Sequence, residues 1–465
     1  MHSQAISGAN KPGSTGFCGS INASEQEENI FEFSAKFMYN ATSNENNLVL
    51  KGGARWKNSW LSANSYFQKE ITMKKRILYG VANYEEIVAK NGYFIDKTQY
   101  IGRLEEIENP VFLRPRRFGK SLWCRILECY YSIHQKDRFE ELFGNTWIGS
   151  NPTPLKNAFI VLHLDFSTVD YTGNLADIED SFNFTCNFKM KTLIGLYRDW
   201  FQDRMEIDVK ARGNDNLKNI LSHVSLSDMP PLYVIIDEYD NFANQLITGR
   251  RDDVYKRLTA DDSFLKTFFK TLKEGRKTGA IANVFITGVL PVTMDELASA
   301  YNIANFITLD ESFENMLGFT QTEVNGLLDS ICRDYDISPP QRQEIEAIIV
   351  NHYNGYHFVS PDIEAVFNPT LLAYFLDQFC RHRKFPEFLT DLNLRTDISW
   401  VQRITTAYPG STEEFVESLV TQNTINYDRS GTDSGICNRA EGPVRRSQNQ
   451  LACYLLLRQP GISGV

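Results

Sequence analysis

The chain has 465 residues, of which 42% are hydrophobic and 12% aromatic. This composition excludes a disordered protein and can supply a large core, and the length predicts two or three domains. The formal charge is −10 and the pI is near 5.4. These values exclude a surface that is basic throughout, so any contact with nucleic acid would have to be local.

Targeting and redox signals predict a soluble intracellular protein of the cytoplasm or nucleus. The N-terminus lacks a basic segment followed by an apolar run, and no stretch approaches the roughly 18 to 20 apolar residues that span a bilayer. The eight cysteines are scattered. They form no C-x-x-C pair, and no histidine lies at zinc-ligand spacing, so we expect reduced thiols.

In chain order, residues 1–75 are rich in Ser, Asn, Gly and Glu, which predicts a flexible leader. From residue 76 to 318, strand-like and helix-like segments alternate, as in an α/β domain. Five short apolar runs rich in Val, Ile and Phe predict buried parallel strands at 109–113, 158–166, 232–236, 283–287 and 305–309. Segments 121–133 and 263–273 have the apolar spacing of crossover helices.

The C-terminal third changes character twice. Residues 319–425 have a mostly helical pattern, and Thr320 followed by Glu323 forms the sequence signature of a capping box. We therefore predict a second, α-rich unit. Residues 426–465 are polar and rich in Gly, Ser and Arg, which predicts an irregular tail.

A Gly-Lys-Ser sequence follows the first predicted strand and opens a helix. A loop in this position presents unpaired backbone N–H groups and the positive end of the helix dipole to phosphates. Lys120 would reach the β- and γ-phosphates, and the Ser121 hydroxyl would bind Mg²⁺. The pattern G-x-x-x-x-G-K-[ST] is incomplete, because its first position is Arg114. The predicted phosphate-binding residues are Arg116, Arg117, Phe118, Gly119, Lys120, Ser121 and Leu122.

A second pattern, an apolar strand that ends in Asp237 and Glu238, is typical of a Walker B motif. Asp237 can hold Mg²⁺, and Glu238 can orient and polarise the attacking water. The alternative is a solvated acidic pair at a strand end. Thr287 ends a later strand, where its hydroxyl either contacts the γ-phosphate or the water as a third catalytic residue, or merely terminates the strand.

The order and spacing of these motifs resemble the AAA-ATPase-like family between residues 77 and 358. Its marks appear here as Leu78-Tyr79-Gly80, Asp96-Lys97-Thr98, the segment 114–121, Asp237-Glu238-Tyr239-Asp240 and Thr287-Gly288-Val289. A P-loop without the first glycine is itself a trait of the family. The resemblance implies a RecA-like, AAA+-like P-loop NTPase sheet in which the catalytic glutamate follows the Walker B aspartate.

The resemblance implies ATP as ligand, Mg²⁺ as cofactor, and hydrolysis that drives a conformational step or remodels a partner. No activating arginine can be assigned from the sequence, so we expect slow turnover that rises with a protein partner or self-assembly. The alternative is a non-catalytic nucleotide-binding scaffold. Many relatives continue into a nuclease-like domain. Here residues 426–465 contain no lysine, so we expect no nuclease activity, and nucleic acid is implied as a partner by analogy alone.

Other polar residues near the motifs allow two interpretations each. Asp96 contacts a nucleotide or, as we favour, caps a helix. Arg114, Arg116 and Arg117 face phosphates or pair with carboxylates elsewhere in the domain. His352 and His357 have no partner at catalytic spacing and are interpreted as turn and packing residues.

Overall fold

A computed structural model describes residues 75–202, 205–249, 251–289, 297, 299–360 and 362–389. The chain divides into two units, Met1–Thr72 and Met73–Val465, and all the described residues belong to the second. The predicted leader, apart from Lys75, and the predicted tail at 426–465 lie outside the described residues.

The centre of the fold is a five-stranded parallel sheet with the strand order β2-β3-β4-β1-β5. Its strands are β1 (Pro110–Leu113), β2 (Ile160–Asp165), β3 (Leu232–Asp237), β4 (Ile281–Gly288) and β5 (Asn305–Phe306). All five predicted strands are present. The prediction of burial at 305–309 is wrong for Asn305 and Phe306, which are exposed at the edge of the sheet, and right for Ile307 and Thr308, which follow β5.

Fourteen α-helices lie within the residues that the structure describes. They are α1 (Tyr84–Ala89), α2 (Tyr100–Glu105), α3 (Lys120–Tyr131), α4 (Phe139–Phe143), α5 (Trp147–Ser150), α6 (Leu175–Leu196), α7 (Arg198–Phe201), α8 (Gly213–Leu226), α9 (Asn241–Thr248), α10 (Asp252–Leu258), α11 (Phe264–Thr278), α12 (Gln321–Asp334), α13 (Pro339–Tyr353) and α14 (Pro369–His382). Both predicted crossover helices are confirmed as α3 and α11. The Ser263 hydroxyl caps α11 by accepting from the backbone N–H of Lys266.

Two hydrophobic cores lie on opposite faces of the sheet because successive strand residues point in opposite directions. On β1, Val111 and Leu113 join the core that contains α6, α8 and α11, whereas Phe112 joins the core that contains α3. Burial on both faces explains why the strands read as continuous apolar runs. Parallel pairing places the carboxyl ends of the strands along one edge, next to the start of α3.

The predicted α-rich unit consists of α12 to α14 as far as the structure describes it. The capping box is confirmed, because Thr320 accepts from the N–H of Glu323 while Glu323 accepts from the N–H of Thr320. A third apolar core, which includes Leu328, Ile349 and Phe375, holds these helices together. The domain limits at 319 and 425 remain predictions.

Candidate functional site

The loop after β1 turns the chain sharply into α3. Arg117 and Gly119 both have left-handed backbone angles, with φ of 70° and 87°. Gly119 precedes the helix and has no side-chain cap, so the first N–H groups of α3 are directed at the space in front of the loop. Glycine suits this position because a side chain would be strained there. The local geometry is therefore that of a P-loop.

A cavity of about 520 Å³ lies beside this loop, within the usual size range of small-molecule sites. All seven predicted phosphate-binding residues line it, together with Glu238. Other walls come from residues 77–97, from α3, from residues 316–319 and from α12 and α14. The cavity thus joins a polar, loop-lined end to an apolar end, as a nucleotide with phosphates and a base requires.

Lys120 is buried at the start of α3, and its Nζ donates to the backbone carbonyl of Pro115 at 3.0 Å. Burial lowers the pKa of its amine, against the opposing attraction of the carboxylates of Glu238, Asp237 and Asp240. The ammonium is therefore held at the loop by one carbonyl and by three acids behind it. A bound phosphate would offer it a stronger, charged acceptor than that carbonyl.

Asp237 and Ser121 come together at the carboxyl end of β3. The Ser121 side chain interacts with the Asp237 carboxylate, and this interaction opposes the effect of burial, which raises the pKa of Asp237. A hydroxyl and a carboxylate are the hard oxygen donors that Mg²⁺ prefers. The pair that the sequence predicts as metal ligands therefore fits that ion.

Glu238 follows with a left-handed backbone, φ 50°, which is uncommon for a residue with a side chain. Its N–H donates to Asp237 Oδ1 at 2.9 Å. This turn directs Glu238 towards the cavity that Lys120 also lines. Burial raises the pKa of the Glu238 carboxyl, and Lys120 opposes the rise.

Asp240, which had no predicted role, ties the acidic loop to β4. Its carboxylate accepts from the N–H of Val289 at 3.2 and 3.1 Å and from Asn244 Nδ2 at 2.6 Å. The approach is close, since a Cβ at Gly288 would lie 2.4 Å from Asp240 Oδ1. The sequence signal was a further acidic residue two positions after Glu238. The sequence did not indicate which strand this residue contacts.

Thr287 is placed differently from its predicted catalytic role. Its hydroxyl donates to the carbonyl of Phe112 at 2.8 Å, and the residue is buried between β4 and β1. It does not line the cavity that the P-loop residues and Glu238 share. The structure therefore favours the alternative, a threonine that joins two strands at their ends.

Arg114 does not face phosphates, and that interpretation is wrong. Its guanidinium is buried between the rings of Phe112 and Phe358, 4.2 Å from each centroid. It donates to four backbone carbonyls, those of Leu113, Thr308, Phe313 and Glu314. Arg116 and Arg117, in contrast, line the cavity.

The Asp-Lys-Thr segment holds neighbouring elements together. Asp96 accepts from the N–H of Thr98 at 2.8 Å and from that of Trp147, the first residue of α5, at 2.6 Å. This agrees with the capping interpretation. Lys97 lines the cavity and donates to Glu323 Oε2 at 2.7 Å.

The two histidines near residue 355 lie away from the acidic pair. His352 is exposed in the last turn of α13, and His357 is half-buried between Tyr356 and Phe358. Neither lines the cavity. Their positions agree with turn and packing roles.

Comparisons with known proteins bear on this site. The family model described as "Predicted AAA-ATPase", the AAA-ATPase-like family, matches residues 78–298. No curated protein matches the chain significantly. The structure of Drosophila ORC bound to AT-rich DNA and Cdc6 is similar over 72% of this chain and 100% of that chain, with 10% identity and a TM-score of 0.22; a similarity this low carries no argument.

No helix within the described residues is both long enough and apolar enough to span a bilayer. The cysteines in the same part of the chain, Cys124, Cys129, Cys186, Cys332 and Cys380, form no disulfide bond with one another.

The family assignment agrees with the geometry. The matched segment contains the P-loop and the acidic end of β3, on a parallel sheet of the RecA-like P-loop NTPase class. Residues 78–298 of this chain therefore form a domain of the AAA-ATPase-like family.

Proposed function

We propose that this protein binds ATP with Mg²⁺ in the cavity beside the P-loop and hydrolyses it. The observation that carries the proposal is the meeting of three groups beside that cavity: Lys120, Ser121 with the Asp237 carboxylate that it interacts with, and Glu238. These supply a cation for the phosphates, oxygen ligands for the metal and a carboxylate base. The apolar end of the cavity would take the adenosine.

Each residue has a defined part in the reaction. The N–H groups at the start of α3 and the Lys120 ammonium bind the β- and γ-phosphates. Ser121 and Asp237 would hold Mg²⁺, which neutralises charge that develops on the phosphate oxygens. Glu238 accepts a proton from water as the water oxygen attacks the γ-phosphorus, and the bond to the β–γ bridging oxygen breaks, which leaves ADP. A carboxyl pKa raised by burial suits a base that works near neutral pH.

Binding is tested by calorimetric titration with a non-hydrolysable ATP analogue and Mg²⁺. We expect Lys120→Ala to abolish binding and the exposed-lysine control, Lys136→Ala, to bind as the parent does. Equal binding by the parent and Lys120→Ala would contradict the proposal. Absence of any nucleotide-dependent rise in melting temperature would instead support a non-catalytic scaffold whose P-loop site is empty, because a ligand far above its Kd stabilises by several kcal/mol.

Hydrolysis is tested with Glu238→Gln, which keeps the size of the side chain and removes the base. We expect this variant to bind ATP with the affinity of the parent and to release no phosphate. The parent should turn over slowly and speed up with protein concentration if a second copy supplies an arginine, a group worth about 10³ to 10⁵ in rate in other P-loop enzymes. Phosphate release by Glu238→Gln at the parent's rate would exclude Glu238 as the base.

We further propose that turnover drives a conformational step that α12 to α14 transmit to a partner. Helices α12 and α14 line the same cavity as the P-loop, and α13 packs with both in the third apolar core, so ligand binding changes the environment of α12 and α14 directly. The Glu238→Gln variant, which should retain ATP, is the form in which such a partner would remain bound. Proteins or nucleic acids that co-purify with this variant and not with Lys120→Ala would be its candidates.

A further inference from the structure

Three side chains with metal-binding chemistry meet on the face of the sheet that α3 covers. They are Cys124 on α3, His163 on β2 and Asp237 at the end of β3, and one ligand atom from each lies within 4.8 Å of the other two. The elements are far apart in the sequence, so no short motif reveals the group. Parallel pairing of β2 with β3 brings them together, because His163 pairs with Ile235, two residues before Asp237.

His163 is oriented as a metal ligand is. Its Nδ1 is bonded to Glu128 Oε2 at 2.7 Å, and its Nε2 is buried without a hydrogen-bond partner among the described residues. A carboxylate on one ring nitrogen fixes the tautomer and leaves the other nitrogen to coordinate, an arrangement that recurs behind metal-bound histidines. The His163 side chain is 19% exposed, whereas Cys124 and Asp237 are buried.

We propose that Cys124, His163 and Asp237 bind a transition-metal ion of the Zn²⁺ class. A thiolate, an imidazole and a carboxylate are a three-ligand set for such an ion, with a fourth position for water. Mg²⁺ and Ca²⁺ are disfavoured because they prefer oxygen ligands throughout. Binding would release the thiol proton of Cys124 to solvent and would require small side-chain shifts to bring the three ligands to bonding distance.

The site has a regulatory consequence, which rests on the proposed function. Asp237 would belong to two sites, since it also pairs with Ser121 in the predicted Mg²⁺ position. An ion held by Cys124 and His163 would engage the same carboxylate. Zn²⁺ would therefore compete with Mg²⁺ and inhibit nucleotide binding from behind the P-loop.

The test is a titration of the nucleotide-free full chain with Co²⁺, a spectroscopic substitute for Zn²⁺. Cys18, Cys437 and Cys453 lie outside the described residues and are first replaced by serine to remove competing thiols. We expect a sulfur-to-cobalt charge-transfer band that Cys124→Ser abolishes and that Cys129→Ser, a buried cysteine on the same helix, retains. Glu128→Gln should weaken Co²⁺ binding about 10- to 100-fold, as loss of other such partners does.

A band that persists in Cys124→Ser, or no band in the folded parent, would overturn the site. If Cys124→Ser does not fold, the site is tested with His163→Gln, a change at a partly exposed residue. An unchanged Co²⁺ affinity in that variant would also overturn the proposed metal site. A second arm measures binding of the ATP analogue with Mg²⁺, with and without Zn²⁺. Inhibition should occur in the parent and be relieved in Cys124→Ser; equal inhibition in both would refute the competition. If the parent fails to bind the ATP analogue even in the absence of Zn²⁺, the proposed function is refuted and the Co²⁺ result still stands.

Discussion

Arg114 occupies the position where a complete P-loop motif has its first glycine. Because its guanidinium satisfies four buried carbonyls and stacks on two rings, restoring the glycine should harm this protein. We expect Arg114→Gly to lower the free energy of unfolding by about 3 kcal/mol or more, the scale for a buried charged group whose partners are left unpaired. Urea unfolding measures the loss.

The control for Arg114→Gly is Arg103→Gly, at an exposed arginine on α2. It should cost only about 1 kcal/mol, the usual penalty of glycine in a helix. An Arg114→Gly variant as stable as the parent would mean that the buried guanidinium is dispensable.

The buried carboxyl of Glu238 should make the stability of the nucleotide-free protein depend on pH. Burial raises the pKa of this carboxyl above its ordinary 4.5 in the folded state, so the folded chain binds the proton more tightly than the unfolded chain does. Stability that is present below pH 4.5 is then lost as the pH rises through the raised pKa. Glu238→Gln removes this contribution, so its unfolding free energy should decline less over the same interval. If urea unfolding gives the parent and Glu238→Gln the same dependence of unfolding free energy on pH, burial of the carboxyl carries no cost.

At the scale of elements, α14 is tied to the P-loop by one hydrogen bond. The Thr370 hydroxyl donates to the carbonyl of Arg117 at 2.7 Å, at a residue held in a left-handed conformation. Thr370→Val removes this bond while it keeps the shape of the side chain. We expect a loss of about 1 kcal/mol in stability and a several-fold weaker affinity for the ATP analogue, because the loop is less preorganised.

Ser330→Ala is the matched control for Thr370→Val. It removes a hydroxyl that bonds locally to the carbonyl of Gly326 within α12 at 3.0 Å, and it should leave affinity unchanged. Equal affinities for Thr370→Val and the parent, measured by calorimetry, would show that α14 does not position the loop.

The same elements show what the sequence could predict. Strands β1 to β4 are largely buried on both faces, so their apolar runs predicted them well, and the P-loop and Asp237 followed from the context of those strands. The exposure of Asn305 and Phe306 in β5 could not be inferred from an equally apolar segment. The capping box of α12 could be predicted because its two residues lie only three positions apart in the sequence.

Two side chains for which the sequence left alternatives open owe their placement to distant contacts. Arg114 stacks on Phe358, and Thr287 bonds to the carbonyl of Phe112. In each case the partner lies more than 170 residues away in the sequence. Residue type and local context indicate that these are polar side chains close to the loop. Only the tertiary contact decides whether such a side chain faces a ligand or the interior.

At the scale of the molecule, the P-loop depends on residues that follow the sheet. Phe118 of the loop packs edge-on against the rings of Tyr356 and Phe358, with centroids 4.8 and 5.3 Å away. Glu314 accepts from the N–H of Phe358 at 2.8 Å. Lys97 reaches Glu323 at the start of α12. The predicted boundary after residue 318 would cut through all these contacts.

We therefore expect a fragment of residues 76–318 to be less stable than one of residues 76–389 and to bind the ATP analogue at least ten-fold more weakly. Without α12 to α14 it exposes Phe118 and loses part of the cavity wall, so the loop is no longer held in its binding conformation. Urea unfolding and calorimetry on both fragments measure the difference, and the full chain serves as the reference. If residues 76–318 unfold at the same urea concentration as the longer fragment and bind the analogue equally well, the sheet alone positions the P-loop. In that case α12 to α14 would be free to move without affecting nucleotide affinity, and the proposed transmission of turnover through them would lose its structural basis.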